Sequence, residues 1–349
     1  MVLNINTISA RASAFITGRL LSVADYRDIY GMLGSPPVPR KDKLPLHSSK
    51  TVQWRRYEHL PKSTAPLVEG VTPDGVAVTV TDLTESLTQY GSYVVLSDLS
   101  IETTEDPQLQ IWGDRGGDQA IRSLTEIREG TILGGTSVYY ANGTDRVGLN
   151  TLMDKTDWAK VERTLALNRA RRLTKLLSAT NGYNTTPIPA AYFAVCHTYV
   201  KYDLEQTVGE TNGFVPVQKY SQATAAIPGE FGAIGRIRFT EHEEMTYFGH
   251  AGAVKGATGY KTDDDTNLDV FATMVFGEEA VGLVPFGGYT GMSKKGKGYD
   301  GVKGIVKALG SGGTDDPLDQ RATVGWKGYE ATKRLNELWM VRAESCASS

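Results

Sequence analysis

Cysteine is nearly absent, with two residues in 349: Cys196 inside an apolar stretch and Cys346 close to the last residue. Two cysteines so placed cannot build a disulfide framework, so a packed core has to hold the fold and a reducing compartment is the expectation. Long apolar runs are missing as well. Nothing approaches the roughly 18 consecutive apolar residues of a membrane span. Arg11 precedes only the short stretch Ala14–Ile16, closed by Thr17, Gly18 and Arg19, which does not make a signal peptide. A chain made in a cytoplasm and not translocated is expected. Charge of one sign is missing too: 37 Lys and Arg stand against 40 Asp and Glu, a net charge of −3. That balance excludes the electrostatic excess of a non-specific nucleic-acid binder.

Complete catalytic signatures are also wanting. Gly291-Met-Ser-Lys-Lys-Gly296-Lys297-Gly298 fits a phosphate-binding loop at every position but the last, where a Ser or Thr hydroxyl has to ligate magnesium. The following Tyr299-Asp300-Gly301-Val302 is a poor helix start, so an anion there lacks the helix N-terminus that supports it. Gly296-Lys-Gly298-Tyr-Asp-Gly301 spells the dinucleotide fingerprint, but no βαβ unit surrounds it. Asp263-Asp264-Asp265-Thr266-Asn267-Leu268-Asp269 begins like a calcium loop, then carries Leu268 where glycine belongs and Met274 where the closing glutamate belongs. Glu241-His242-Glu243-Glu244 lacks the second histidine of a zinc-protease helix, the histidines have no ligand spacing with the cysteines, and Gly-x-Ser-x-Gly does not occur. The residues nominate no catalytic, cofactor-binding or metal-binding position, and the expectation is a protein that is not an enzyme. A nucleotide-dependent enzyme working through the 291–301 loop is the alternative reading.

What is present is glycine. Nineteen of the 38 glycines lie between Gly229 and Gly313, so the excess is local and marks the turns of one β-rich region. At about 150 residues per domain the length corresponds to roughly two domains. Ahead of them, residues 1–49 read as an extended arm: a short helical stretch, Ala24–Leu33, then Gly34-Ser35-Pro36-Pro37-Val38-Pro39 and charges that defeat helix and ladder alike. From Lys50 the pattern changes to period two. Val52 and Trp54 alternate against Gln53 and Arg55, and Val76, Val78 and Val80 against Ala77, Thr79 and Thr81. These predict the two strands of a hairpin whose tip, with Pro61, Pro66, Pro73 and Asp74-Gly75, protrudes. Arg55, Arg56 and Lys62 make it positive, which suits either a solvated edge protected from aggregation or a surface that docks on a neighbouring subunit.

Residues 87–96 predict a further strand. Asp106-Pro107 then reads as an N-cap and a first-turn proline, and Leu109, Trp112, Ala120, Leu124 and Ile127 recur at helical spacing to Leu133. Gly113, Gly116 and Gly117 each cost on the order of 1 kcal/mol relative to alanine, so this helix has to be held by packing. A second helix is expected from an N-cap at Thr156 to Asn181-Gly182. Short strands are expected at 191–200, 233–240, 268–276, 281–286 and 302–309, and 323–342 as a strand or helix closing onto an earlier element. The fold class is α+β. An arm and a hairpin that cannot bury themselves in one monomer belong to an assembly unit, because neighbours have to supply their cores.

One ordered set of segments carries a resemblance: Lys50-Thr-Val-Gln-Trp54-Arg55-Arg56-Tyr57, Pro66-Leu-Val-Glu-Gly70, Gln89-Tyr-Gly91, Ser97-Asp98, Tyr139-Tyr-Ala-Asn-Gly143, Gly232-Ala-Ile-Gly235 with Arg238-Phe239, Asp316-Pro317-Leu318-Asp-Gln320, Gly325-Trp326-Lys327 and Leu335-Asn336. Over close to the whole chain it resembles the major capsid proteins of tailed phages of the coliphage N-four-like family. The resemblance implies the Hong Kong 97-type capsid fold, with an N-terminal arm (1–49), an extended β-hairpin loop (50–82), a peripheral domain with a long spine helix (83–155, helix 106–133), an axial domain (156–315) and a C-terminal return to the peripheral domain (316–349).

It further implies a major capsid (head) protein of a tailed bacteriophage. Such a protein self-assembles through heterologous contacts into pentamers and hexamers of an icosahedral shell that encloses double-stranded DNA without sequence-specific binding. Its partners are copies of itself, with portal, scaffolding and decoration proteins as the further partners such a shell admits, and no membrane. It resides in the virion after assembly in the host bacterial cytoplasm. Trp54, Arg55 and Arg56 are nominated as inter-subunit contacts. An encapsulin-like cargo shell shares the fold and differs in enclosing an enzyme instead of DNA.

Overall fold

The computed structural model describes residues 40–41, 49–64, 66–67, 69–70, 72, 75–174, 187–220, 229–256, 259–284, 302–311 and 316–349. Most of the expected arm, the end of the second expected helix and the 291–301 loop lie outside them. The described strands form four sheets. β1 (Arg40–Lys41) runs parallel to β12 (Val281–Leu283), which pairs with β15 (Thr332–Arg334). β2 (Thr51–Tyr57) and β3 (Val80–Ser86) make an antiparallel ribbon with Trp54 opposite Leu83 and Arg55 opposite Asp82.

β4 (Thr88–Ser97) follows directly and pairs along its length with β14 (Arg321–Glu330), and β13 (Val302–Lys307) completes a three-stranded antiparallel sheet with β14 in the centre. At the end of β4 the Ser97 hydroxyl accepts the Ser100 amide at 3.2 Å and starts the short helix α1 (Asp98–Thr103). α2 (Gln108–Leu133) has 26 residues and spans about 39 Å at 1.5 Å per residue. Its buried stripe runs Gly113, Gly117, Ala120, Ile121, Leu124, Arg128, Ile132, which is the i, i+4, i+7 spacing of one helix face. Ala120, Ile121 and Leu124 pack on Val302 and Trp326 of the three-stranded sheet, while Ile132 and Leu133 reach a second core beyond it. The glycine-bearing helix is therefore stabilised by packing at its middle and at its C-terminal end. Its last turn contains no basic residue; Arg334 and Arg342 from distant strands donate instead to the carbonyls of Thr131 and Leu133, which places cations at the negative end of the helix.

The largest sheet has the strand order β5 (Val138–Tyr140), β16 (Met340–Ser345), β11 (Val270–Phe276), β6 (Tyr192–His197), β9 (Ile237–His242), β8 (Glu230–Ile234), β7 (Phe214–Pro216), with β10 (Tyr247–Phe248) also on β11. β6 and β11 are almost entirely apolar because both faces are covered. Alternate residues go to opposite cores: Tyr192, Phe239, Val275 and Val341 meet Trp158, Val161 and Leu165 of α3 (Lys155–Leu167), whereas Phe193, Met274 and Met340 meet the end of α2. Trp158 and Phe239 contact edge to face with ring centroids 4.9 Å apart. Glu344, fully buried in β16, is neutralised by Arg146 at 2.6 and 2.7 Å and by Arg342 at 2.7 Å.

Several boundaries differ from the sequence expectation, each for a local reason. Val76 and Val78 alternate but lie outside β3, in chain without a strand partner. α2 begins at Gln108, with Pro107 as its cap and no side-chain capping bond. α3 is capped by Asp154, not Thr156: Asp154 Oδ1 accepts the Asp157 amide at 2.8 Å and Asp157 Oδ2 accepts the Asp154 amide at 3.3 Å, a reciprocal box. It stops at Leu167, because Arg169 takes a left-handed φ of 54°. Residues 198–200 are not strand but open α4 (Thr198–Asp203), capped by His197 Nδ1 on the Tyr199 amide at 3.2 Å. The expected single strand 233–240 is a hairpin, β8 and β9, that turns at Gly235, whose φ of 56° suits glycine. The 323–342 stretch is strand at both ends, and it divides between sheets: β14 beside β4, β16 inside the largest sheet.

Candidate assembly surface

The ribbon β2–β3 has two faces of different character. Val52, Trp54 and Arg56 turn toward the body of the protein, and Gln53, Arg55 and Tyr57 turn out. Trp54 is 4% exposed and packs with Leu87, Val284, Ala331 and Leu335, flanked by Val52, Leu83 and Tyr329. The indole fastens the root of the hairpin to its own chain. Arg56 reinforces the root, donating to the Leu335 carbonyl at 3.0 Å and to Glu58 at 2.8 Å. Lys333 reaches Glu85 at 3.0 Å from the adjoining β15. Arg55 alone of the three faces outward, 3.2 Å from Asp82 in an exposed pair.

Beyond Tyr57 and Val80 the described tip has one cross-bond, the Glu58 amide to the Thr79 carbonyl at 3.1 Å. It carries Tyr57, Leu60, Leu67, Val76, Val78 and Val80 at between 44% and 78% exposed. At about 25 cal/mol per Å² of apolar surface, leaving six large side chains in water forfeits several kcal/mol that a covering surface would return.

A second exposed surface is the face of the three-stranded sheet turned away from α2. Its outward positions include Gly91, Tyr93 and Val95 of β4, Ile305 and Lys307 of β13, and Arg321, Gly325 and Lys327 of β14. All of them except Val95 bound an open groove of about 550 Å³.

The polar clusters are committed to structure. In a cavity of about 380 Å³ between α2 and the end of β9, Glu244 pairs with Arg122 at 2.6 Å and Glu129 accepts the Thr246 amide and hydroxyl at 3.0 and 2.7 Å. Around the calcium-like segment the carboxylates diverge: Asp263 takes the Tyr247 hydroxyl and Lys261, Asp264 the Thr266 amide, Asp265 the Lys255 ammonium, Asp269 the His250 amide. Among the described residues no group of three or more His, Cys, Asp or Glu is arranged to hold a metal, and no helix is long and apolar enough to cross a membrane. Burial pushes the Cys196 thiol far up and the Cys346 thiol up to about 12, which removes both from thiolate chemistry.

No family model and no curated protein matches the sequence. Solved structures do match. The chain is similar to the capsid of Ralstonia phage GP4 (TM-score 0.64, 13% identity, 93% of this chain and 92% of that one). It is similar to the capsid of the cyanophage P-SCSP1u (0.56, 12%, 89% and 87%) and to the head of the Helicobacter pylori bacteriophage KHP40 (0.53, 11%, 93% and 91%). At such identities the likeness is one of fold, and it runs nearly end to end: the chain has the α+β fold of phage capsid chains.

Proposed function

We propose that this chain is the major capsid protein of a tailed bacteriophage, of the coliphage N-four-like family and the Hong Kong 97 type, and that its copies close into pentamers and hexamers of an icosahedral shell around double-stranded DNA. The observation that carries the reading is the hairpin, whose root is locked by Trp54 while its tip presents six large apolar side chains to solvent. Among the described residues nothing covers this tip, the reading gives it to another copy, and a contact between unlike surfaces propagates into rings and closed shells. The likeness of fold to three phage capsid chains supports it.

In this reading 1–49 is the arm and 50–82 the extended loop, whose outward Arg55 meets the neighbouring subunit. The peripheral domain is α2 with its three-stranded sheet, and the axial domain is the largest sheet with α3. β13 shares the three-stranded sheet and β16 the largest sheet, so the reading takes β13 with the former and β16 with the latter in place of boundaries at 315 and 316. The function is mechanical, with no catalytic residue and no cofactor. Partners are further copies, then portal, scaffolding and decoration proteins, in the virion after assembly in the bacterial cytoplasm. The test is sedimentation and electron microscopy of the purified full chain. Closed shells are expected; a persistent 37.9 kDa monomer under all assembly conditions overturns the reading, and an enclosed enzyme in place of DNA in native particles turns it into a cargo shell.

A further inference from the structure

The outward face of the three-stranded sheet has a flat floor, because its outward positions opposite Lys327 and Tyr93 are Gly91 and Gly325. A Cβ on Gly91 would lie 2.7 Å from the Trp326 carbonyl oxygen, and one on Gly325 would lie 2.6 Å from Tyr93 Cβ and 2.7 Å from the Ser92 carbonyl oxygen. No side chain fits there without moving backbone. The walls are apolar and uncovered, with Tyr93 70% exposed and Ile305 opposite Gly325. The rim is mainly cationic: Lys307, Lys327 and Arg321 make no ion pair among the described residues, Lys327 lies 5.5 Å over the Tyr329 ring, and one carboxylate, Asp316, lines the groove and accepts the Arg321 amide at 2.8 Å.

The same molecule carries the complement. Residues 98–106 hold Asp98, Glu102, Glu105 and Asp106 and no base, and every residue from Glu102 to Pro107 is exposed. Leu99 projects from this acidic knuckle at 69% exposed. The knuckle leaves the sheet where Ser97 pairs with Arg321, and none of its carboxylates pairs with the cations of the face among the described residues. Lys327 lies six residues further along β14, about 20 Å away at the rise of a strand. The two surfaces adjoin at Arg321, but no ion pair among the described residues joins them and Lys327 lies out of the knuckle's reach, which leaves a head-to-tail contact to pair them.

We propose that the groove over Gly91 and Gly325 receives the acidic knuckle 98–106 of a second copy of this chain, Leu99 entering between Tyr93 and Ile305 and the carboxylates meeting Lys307, Lys327 and Arg321. The proposal rests on the capsid reading and adds the pair of surfaces by which subunits join. Its test is charge exchange in the full chain, read as the fraction of protein sedimenting as particles. K307E/K327E and E102K/E105K each lower that fraction about tenfold or more, and the fourfold variant that exchanges both sets restores it, since opposed charges attract in either order.

Single sets that assemble like wild type, or a fourfold variant no better than either set, overturn the proposal while wild-type shells leave the capsid reading standing. If K307E/K327E melts early, K307Q/K327Q is read instead, expected to assemble less well than wild type and with a weaker dependence on salt; an unchanged salt dependence counts against the proposal. Normal assembly of the lysine variants combined with lost retention of a labelled DNA duplex makes the face a nucleic-acid surface and overturns it as well.

Discussion

Arg128 of α2 and Glu330 of β14, separated by 202 residues, form a fork inside the molecule: Nε donates to Oε1 at 2.5 Å and Nη2 to Oε2 at 2.8 Å, with side chains 1% and 3% exposed. Thr332 also donates to Glu330 at 2.9 Å. The pair joins helix to sheet between the two cores that α2 serves. Removing one partner strands a buried charge, so Arg128→Met or Glu330→Gln alone is expected to cost about 3–5 kcal/mol, while Arg128→Met with Glu330→Leu recovers most of it. Urea unfolding of the unassembled subunit measures all three. Additive losses in the double variant would refute the account.

Trp54 and Arg55 are neighbours with opposite roles, and one comparison separates them. Trp54→Ala opens a cavity at the hairpin root and is expected to cost about 3–5 kcal/mol of subunit stability. Arg55→Glu breaks only an exposed pair, so subunit stability should move by about 1 kcal/mol or less, while the yield of sedimenting particles falls. A Trp54→Ala subunit as stable as wild type contradicts the anchoring role; undiminished particle yield from Arg55→Glu removes Arg55 from the interface.

What the sequence made legible is what is local. The alternation from Val52 to Trp54 and the helical spacing to Leu133 record stripes within single elements; the structure keeps the first and, in the helix, buries Ala120 and Leu124 while leaving Trp112 exposed. Val76 and Val78 show the limit, since alternation reports an extended chain and not whether a partner strand lies beside it. Trp54 shows a second limit: a buried-face residue looks the same in sequence whether its own core or another subunit covers it. Partners far along the chain were invisible for the same reason, as with β14 against β4 and β16 within the largest sheet. Caps made by side chains, Asp154 for α3 and His197 for α4, moved boundaries that periodicity alone placed elsewhere.

Both cysteines test the packing of the largest sheet. Cys196 lies within the core that α3 covers, its thiol donating to the Thr240 carbonyl at 3.6 Å, and the Cys346 thiol donates to the Leu149 carbonyl at 3.4 Å. With burial holding both thiols neutral at pH 8, a thiol reagent should label neither in the native subunit on the timescale of minutes and both in denaturant. Rapid stoichiometric labelling of the native subunit would mean that this core opens readily.

His197 makes stability depend on pH. Burial holds its imidazole below the usual histidine range, with nearby His242 adding to the effect. Its neutral Nδ1 accepts the Tyr199 amide at the start of α4, and its ring lies against Tyr199, Phe271 and Tyr247. Protonation removes the acceptor and sets a positive charge at a helix N-terminus. Because the folded value lies below the unfolded value of about 6.5, the unfolded chain binds more protons between the two, and stability rises with pH across that window. The contribution is complete above about pH 6.5 and is lost as pH falls toward the folded value. His197→Asn keeps a capping oxygen and cannot titrate, so its stability should vary less between about pH 5 and 7 than that of wild type. Urea midpoints of the two unassembled subunits across that range decide it: parallel curves exclude His197 as the titrating group.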